Sequence, residues 1–162
     1  MADVLHMTKL LVARPAIPEH PGVAVRNYRG PDDIALWLEI RRQAFATESP
    51  AARPWTVHDF TAEVLDKPWW SPARMWLAEN FQDGSSLGTV MLALRAGRDE
   101  VRPVVHWLAV VPRWRRLGLA RLLMAHLEDY CWQQGYRQLD LETHVNWQAA
   151  VQLYHALGFT NT

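Results

Sequence analysis

The chain has 162 residues, 49% of them hydrophobic, with 17 basic and 17 acidic side chains and no net charge. This predicts one folded domain with its own core and argues against a nucleic-acid binder, whose basic footprint usually dominates its composition. One cysteine excludes an internal disulfide, no apolar run is long enough for a membrane span, and no signal peptide is recognised, so a cytoplasmic protein is expected.

The first part of the chain predicts a tail, a strand and two helices. Residues 1–21 contain three prolines and little periodicity, which predicts a partly disordered N-terminal tail before a domain over residues 22–162. Residues 23–28 alternate as a strand, and Asp32 and Asp33 favour a helix start. Thr56 is placed as the cap of a second helix that runs to about Asp66. One face of the first helix carries Ile34, Trp37, Leu38, Arg41 and Phe45.

The second part predicts a meander of strands, then alternating helices and strands. Residues 74–79, 87–95 and 101–111 indicate three strands, the last apolar on both faces. Leucines at helical spacing predict a long helix from about Leu119 to Gly135. Residues 137–143 alternate as a strand, Asn146 is placed as the cap of a last helix over residues 147–157, and a final strand starts at residues 159–160. The order β-α-α-β-β-β-α-β-α-β predicts an α/β fold with a mixed sheet.

The segment "VPRWRRLGLA", residues 111–120, joins a predicted strand to a predicted helix. A helix N-terminus has unpaired amides that attract anions, glycine permits close approach of the backbone, and arginines add forked donors. A pyrophosphate site and a solvated basic loop explain the segment about equally well. The Gly-Lys-Ser/Thr and Gly-x-Gly-x-x-Gly patterns are absent, which argues against an ATP or dinucleotide site.

This segment resembles the acyl-CoA signature of the GNAT acetyltransferase superfamily, Arg/Gln-x-x-Gly-x-Gly/Ala, in Arg115-Arg116-Leu117-Gly118-Leu119-Ala120. The preceding "HWLAVVP" is similar to the family's central strand. Asn146, Ala150, Leu153, Tyr154 and Leu157-Gly158-Phe159 resemble its "N..A..LY..LGF" element. The resemblance is specific over residues 104–160. It implies a single-domain GNAT-like fold. Its mixed, mostly antiparallel sheet would have a V-shaped splay between two central parallel strands and four flanking helices.

The resemblance also implies acetyl-CoA as co-substrate, bound between the strands at residues 104–111 and 137–143. Backbone groups of Leu108 and Val110 would bond the acetyl carbonyl and the pantetheine arm, and Asn146 would touch that arm. The pyrophosphate would lie on the signature residues Arg115, Arg116, Leu117, Gly118, Leu119 and Ala120. An amide aimed at the acetyl carbonyl oxygen acts as an oxyanion donor.

Tyr154 matches the family's general acid, which protonates the departing thiolate; a half-buried packing residue is the alternative. His106 is the candidate base for the attacking amine, because its ordinary pKa is near neutrality and strand alternation places it on the face of Leu108. Its position resembles a water-linked histidine of arylalkylamine acetyltransferases. A hydrogen-bonded sheet histidine is an equal alternative, and Glu142 and His144 are weaker candidates. No metal-ligand spacing is present.

The acceptor side is less defined. Arg53, Trp55, Trp69 and Trp70 lie where this family usually walls the acceptor, although helix packing explains these tryptophans slightly better. We predict an acetyl-CoA-dependent N-acetyltransferase that transfers acetyl directly to a primary amine of a small molecule. The alternatives are a protein or peptide acceptor and a non-catalytic acyl-CoA-binding module. Because the last predicted strand is short, a homodimer that completes the sheet edge is a further hypothesis.

Overall fold

A computed structural model gives the structure of the chain and describes residues 3–48 and 52–162. Seven strands form one sheet in the order β2-β3-β4-β5-β6-β1-β7. They are β1 (Val4–Leu10), β2 (Val23–Asn27), β3 (Met75–Asn80), β4 (Ser86–Ala96), β5 (Val101–Val110), β6 (Gln138–His144) and β7 (Thr160–Asn161). The helices are α1 (Asp32–Ala44), α2 (Val57–Phe60), α3 (Leu119–Gln133) and α4 (Gln148–Ala156). β5 and β6 pair in parallel and the other described pairs are antiparallel, which confirms the predicted fold class.

The two helices before β3 begin where their acidic and capping residues predict. Asp33, in the first turn of α1, is buried and accepts two hydrogen bonds from the Arg26 guanidinium, at 2.9 and 2.7 Å. Arg26 also donates to Glu79 on β3 at 2.6 Å, so one arginine joins α1 to two strands. Thr56 and Asp59 form a capping box at the start of α2. A π-helical turn, Thr61–Leu65, then extends α2 to the predicted end.

The N-terminal tail predicted over residues 1–21 is wrong for Val4–Leu10, which forms β1 between β6 and β7. Met7 is buried in the core, and its strand is held by partners more than a hundred positions away, which local periodicity does not reveal. The proline-containing segment after β1 then runs along α3. Arg14 pairs with Asp129 at 2.7 Å near the end of α3, and His20 contacts the Leu117 carbonyl at 2.9 Å near its start.

The sheet has two covered faces. The α3 face, covered by α3 and α4, carries a core that includes Leu92, Val105, Leu108, Leu123 and Leu139. The α1 face, covered by α1 and α2, carries a second core that includes Trp37, Phe60, Met91, Ala109 and Val111. β3, β4 and β5 contribute residues to both cores and are therefore covered on both faces, whereas β6 contributes Leu139 and Leu141 to the core of the α3 face alone.

Candidate functional site

The gap between β5 and β6 is the central feature of the candidate site. The two strands are registered in parallel at Val104 with Asp140, and no further paired position follows along either strand in the described residues. β5 continues to Val110 and β6 to His144. Backbone groups in the distal half of β5 therefore have no partner on β6 in the described ladder, and the Val110 carbonyl accepts from Arg115 instead. The expected splay is present.

A bulge in β5 lies at the mouth of this gap. Thr89 of β4 pairs with Ala109 and Met91 pairs with His106, so Val90 faces both Trp107 and Leu108. Trp107 has a left-handed backbone, with φ of 52°, a conformation that is strained for a bulky residue. Such outliers often mark functional positions, and this one lies where β5 loses its neighbour on β6.

The bulge corrects one expectation about side-chain direction. Alternation predicted that His106 and Leu108 share a face of the sheet. Leu108 instead packs in the core of the α3 face, whereas His106 lies opposite Met91, which belongs to the core of the α1 face. The extra residue in β5 shifts the alternation by one position, so these two neighbours point to opposite sides of the gap.

The segment between β5 and α3 forms an uncapped helix start. Gly118 is the N-cap residue, with φ of 85°, and no side chain caps the helix. Its Cβ position would meet no atom within 4 Å, so the space in front of the helix is open. Arg116, also left-handed with φ of 63°, and Leu117 are exposed. The first amides of α3 thus face open space, which suits an anion.

The Arg115 side chain serves a different purpose from the one its motif implies. Its Nε donates to the Val110 carbonyl at 3.2 Å, and its Nη2 makes a short hydrogen bond to the Ala44 carbonyl at the end of α1. Both bonds tie the loop to the sheet and to α1. The anion-binding capacity of the loop therefore rests on backbone amides and on the exposed Arg116.

Tyr154 lies on α4 and packs against the core of the α3 face, with its ring edge-on to Phe159 at 5.9 Å. Burial raises the pKa of Tyr154 to about 12, so its hydroxyl is protonated throughout the physiological range. No described group hydrogen-bonds that hydroxyl, and it is not among the sealed polar atoms. The residue presents an available proton on the α3 side.

His106 lies on the α1 side of the gap. Burial, followed by repulsion from Arg95, lowers its pKa, so the imidazole is neutral at pH 7. The Trp69 and Trp107 rings lie edge-on to it at 6.1 and 5.8 Å, and no described group hydrogen-bonds its ring nitrogens. The alternative of a hydrogen-bonded sheet histidine does not match this environment.

The weaker base candidates are both engaged. Glu142 pairs with Arg95 at 3.1 Å and with His6 at 3.6 Å. His144 uses its Nδ1 to accept the Asn146 amide at 3.1 Å, a contact that leaves its other nitrogen as the donor. Asn146 therefore turns the chain after β6, and the predicted cap at Asn146 is wrong, since Trp147 is the N-cap residue of α4 and no side chain caps it.

Aromatic side chains fill the α1 side next to the gap. Trp107 contacts Trp37, Trp55 and Phe45 with ring centroids 5.1 to 5.9 Å apart, and Phe45 continues to Trp147 at 5.3 Å. We call Trp37, Phe45, Trp55 and Trp107 the aromatic cluster. Trp69 instead packs at His106 and Trp70 at Tyr28, while Arg53 pairs with Asp59 at 3.2 Å.

Residues 36–159 match the sequence model of the Acetyltransferase (GNAT) family. The chain belongs to the GNAT acetyltransferase family. A mycothiol acetyltransferase from Sanguibacter keddieii is 33% identical over 149 residues, which are 90% of this chain and 46% of that protein. The chain thus spans about half the length of the curated relatives it matches.

Solved structures of GNAT proteins show the same fold. A GCN5-related N-acetyltransferase from Sphaerobacter thermophilus superposes with a TM-score of 0.80 at 22% identity, over 99% of this chain and 48% of that one. The NatC complex bound to Gag peptide and CoA gives 0.67 at 20% identity, over 87% of this chain and 86% of that one. The family prediction made from residues 104–160 is confirmed.

Two features of this GNAT site escaped the sequence. The bulge at Trp107 could not be predicted from the local sequence, because tryptophan rarely adopts a left-handed backbone conformation. The second feature is Arg41, which is buried beside the aromatic cluster. A charged residue on the apolar face of the predicted first helix was the sequence feature that could have indicated it. In the described residues no helix is long and apolar enough to cross a membrane, and no three His, Cys, Asp or Glu side chains group as metal ligands.

Proposed function

We propose that the chain binds acetyl-CoA between β5 and β6 and catalyses direct transfer of the acetyl group to the primary amine of a small molecule. The observation that carries the proposal is the parallel pair that ends at Val104 and Asp140, in front of an uncapped α3. The backbone of Leu108 and the amide of Val110, whose carbonyl already accepts from Arg115, would hold the acetyl carbonyl and pantetheine arm. The amides from Arg116 to Ala120 would hold the pyrophosphate, and Asn146 would border the arm.

The open space in front of α3 supports the fit of the acetyl-CoA pyrophosphate at this loop. Gly118 has no neighbour within 4 Å of its Cβ position, and the first turn of α3 has no side-chain cap to displace. A pyrophosphate would satisfy amides that otherwise depend on water. When bound, the thioester supplies the activated acetyl group, and the protein supplies position, proton transfer and charge stabilisation.

His106 and Tyr154 suit the two proton transfers because they lie on opposite faces of the sheet, so that each can serve a different reactant. The neutral His106, on the α1 side, takes the proton of the attacking amine as the new N–C bond forms. Tyr154, on the α3 side, gives its proton to the thiolate as the C–S bond breaks, and water returns that proton. An amide of β5 stabilises the negative charge on the carbonyl oxygen, worth about 3–4 kcal/mol in favourable cases.

A small-molecule acceptor is supported by the name of the similar Sanguibacter keddieii protein, mycothiol acetyltransferase. The groove on the α1 side has a volume of about 470 Å³, within the range of small-molecule sites. It is lined by apolar residues, among them Leu38, Phe45 and Trp55, together with the charged residues Glu39, Arg41 and Arg42. A peptide acceptor is the alternative to test, since a peptide is bound in the NatC structure that shares this fold.

Calorimetric titration with acetyl-CoA, and separately with 3′,5′-ADP, tests the cofactor part. We expect saturable binding of both, weaker for the fragment that lacks the pantetheine arm. Thiol release is then measured with small primary amines and with short peptides that carry a free N-terminus or lysine. Release with small amines supports the proposal, and release with peptides alone replaces the acceptor class. Binding without release from any amine would favour a non-catalytic acyl-CoA-binding module.

A further inference from the structure

Arg41 is a buried cation without a carboxylate partner. Its residue is 6% exposed, and none of the ion pairs in the described residues includes it. The guanidinium makes one hydrogen bond, from Nη1 to the Arg53 carbonyl at 2.8 Å. Its Nε is sealed and has no partner, although buried polar groups are nearly always satisfied. Burial, followed by repulsion from Arg53, lowers its pKa.

Two indoles hold this charge in place. The Arg41 guanidinium carbon lies 4.6 Å from the Trp55 ring centroid and 4.7 Å from that of Trp107. Stacking on aromatic faces stabilises a cation without using its N–H groups. The plane of Arg41 is therefore fixed while Nε and Nη2 have no hydrogen-bond partner, which is the arrangement of a binding group more than of a structural ion pair.

The unsatisfied groups near Arg41 are all donors. Trp37 Nε1 and Trp107 Nε1 are buried without partners, as is Arg41 Nε, and the Trp37 and Trp107 rings are 5.9 Å apart. An indole N–H and a guanidinium can only donate hydrogen bonds. These three donors are sealed, so the cluster contains no acceptor of its own for the Arg41 guanidinium. The guanidinium nitrogen that is neither sealed nor paired, Nη2, therefore suits an acceptor from outside the protein, and an anion suits it best.

Neighbouring carboxylates do not supply this acceptor. Asp59 accepts hydrogen bonds from Arg53 and from the Thr56 amide, and Glu39 is held by Arg42 at 2.7 Å. Arg41 itself lines the groove of about 470 Å³ together with Leu38, Phe45 and Trp55. Glu39 and Arg42 also line the groove, but they neutralise each other as an ion pair. The charge left over in the groove is that of Arg41, and Nη2, which is unpaired and not sealed, is the atom that a ligand reaches.

We propose that Arg41 recognises a carboxylate on the acceptor, so that the preferred acceptor is an amino acid-like molecule that carries an apolar or aromatic group as well as its amine. Trp107, whose ring covers Arg41, immediately precedes Leu108, and this places the anion subsite next to the position proposed for the acetyl carbonyl. A carboxylate on Nη2 with an apolar group along Leu38, Phe45 and Trp55 leaves the amine to approach β5. This inference rests on the proposed function for its assignment to an acceptor.

The first test measures binding without chemistry. 3-Phenylpropionate, which has the carboxylate and the ring but no amine, is titrated while tryptophan fluorescence is followed. We expect saturable quenching that weakens about tenfold or more in Arg41→Met, since a charge-assisted hydrogen bond is lost. Arg137→Met is the matched control, because Arg137 also stacks on a tryptophan, Trp132, at 3.5 Å, and it should bind as the wild type does. Absence of saturable binding to the wild type overturns the inference.

The second test uses turnover. L-phenylalanine is compared with L-phenylalaninamide and phenethylamine, which lack the carboxylate, at saturating acetyl-CoA. We expect KM for phenylalanine to be about tenfold lower than for either amine without a carboxylate, and Arg41→Met to remove this preference, so that its KM values for the three amines become similar. Equal KM values in the wild type overturn the inference, and this comparison stands even where Arg41→Met does not fold.

The two tests separate the failure of this inference from the failure of the proposed function. Loss of 3-phenylpropionate binding in Arg41→Met, without acetylation of any amine by the wild type, supports the carboxylate subsite and overturns the transferase activity. Acetylation of amines with no carboxylate preference and no effect of Arg41→Met supports the transferase and overturns the subsite.

Discussion

The two sides of the gap between β5 and β6 are built from different materials. On the α3 side, the proposed cofactor groups are backbone amides and carbonyls, with Gly118 leaving the approach open. On the α1 side, the groups proposed for the acceptor and for proton transfer are side chains. Arg41, His106 and the aromatic cluster come from three separate segments of the chain. A site made of backbone groups is encoded by a short motif with fixed spacing. A site made of side chains is encoded by residues that are far apart in the sequence. The first is therefore easier to recognise in a sequence than the second.

The largest expected effect is on the α3 side, from Tyr154→Phe. If the hydroxyl supplies the proton to the thiolate, turnover falls by about 10²–10⁴-fold, while the affinity for acetyl-CoA is unchanged. Steady-state thiol release and calorimetry measure the two quantities on the same preparation. Tyr136→Phe, also at the edge of this core, serves as control. Turnover of Tyr154→Phe near the wild-type value would remove the acid assignment.

The attachment of α1 gives the next effect. Asp33→Ala leaves the partly buried Arg26 with Glu79 as its remaining carboxylate partner, and we expect the free energy of unfolding to fall by about 3–5 kcal/mol. Urea denaturation measures the change. Glu39→Ala breaks an exposed pair on the same helix and should change stability by at most about 1 kcal/mol. Similar losses in both variants would contradict the role given to the buried pair.

The same pair predicts a pH dependence. The hydrogen bond from Arg26 lowers the pKa of Asp33, so the folded state binds its proton less readily than the unfolded state, whose pKa is about 4. The stabilisation is complete above that value and is lost as the pH falls through the lower folded pKa. Urea midpoints of the wild type between pH 7 and pH 2 should therefore fall more steeply than those of Asp33→Ala.

Gly118→Val tests the backbone character of the α3 side. A left-handed backbone is disfavoured for an L-residue by roughly 1–2 kcal/mol, and a shift of the loop should weaken acetyl-CoA binding by about tenfold, since 1.4 kcal/mol corresponds to that factor. Gly84→Val, at a φ of 74° in the turn between β3 and β4, introduces the same strain elsewhere. Calorimetry should show weaker acetyl-CoA binding in the first variant alone.

The smallest effect is expected from His106→Gln. The wild-type plot of log kcat/KM against pH should change slope below about pH 6.5, the ordinary value for histidine, because burial lowers the pKa of His106. The variant should lose this break and slow by less than about tenfold, since the amine also loses its proton to water at a slower rate. A break that persists in the variant would assign it to another group.

The contrast between the two sides also explains what the sequence could predict. The strands, helices and the Gly118 loop follow from periodicity and from local backbone needs, so they were recognised. β1 was missed because its pairing with β6 is not local, and the prolines after it masked a strand of seven residues. The faces of His106 and Leu108 were misassigned because the bulge at Trp107 is set by β4. Arg41 could not be interpreted without Trp55 and Trp107.

The placement of β1 has a consequence for how the chain folds. Thr8 of β1 bonds Asp140 of β6 across 132 positions of sequence, so β1 leaves the ribosome long before its neighbour exists. Contacts between distant segments carry a large loop-closure entropy and slow the search for the native state. We expect the meander of β2 to β5 to become protected from hydrogen exchange first. The gap between β5 and β6 would then be completed late in folding, because β6 pairs with β1 on its other edge.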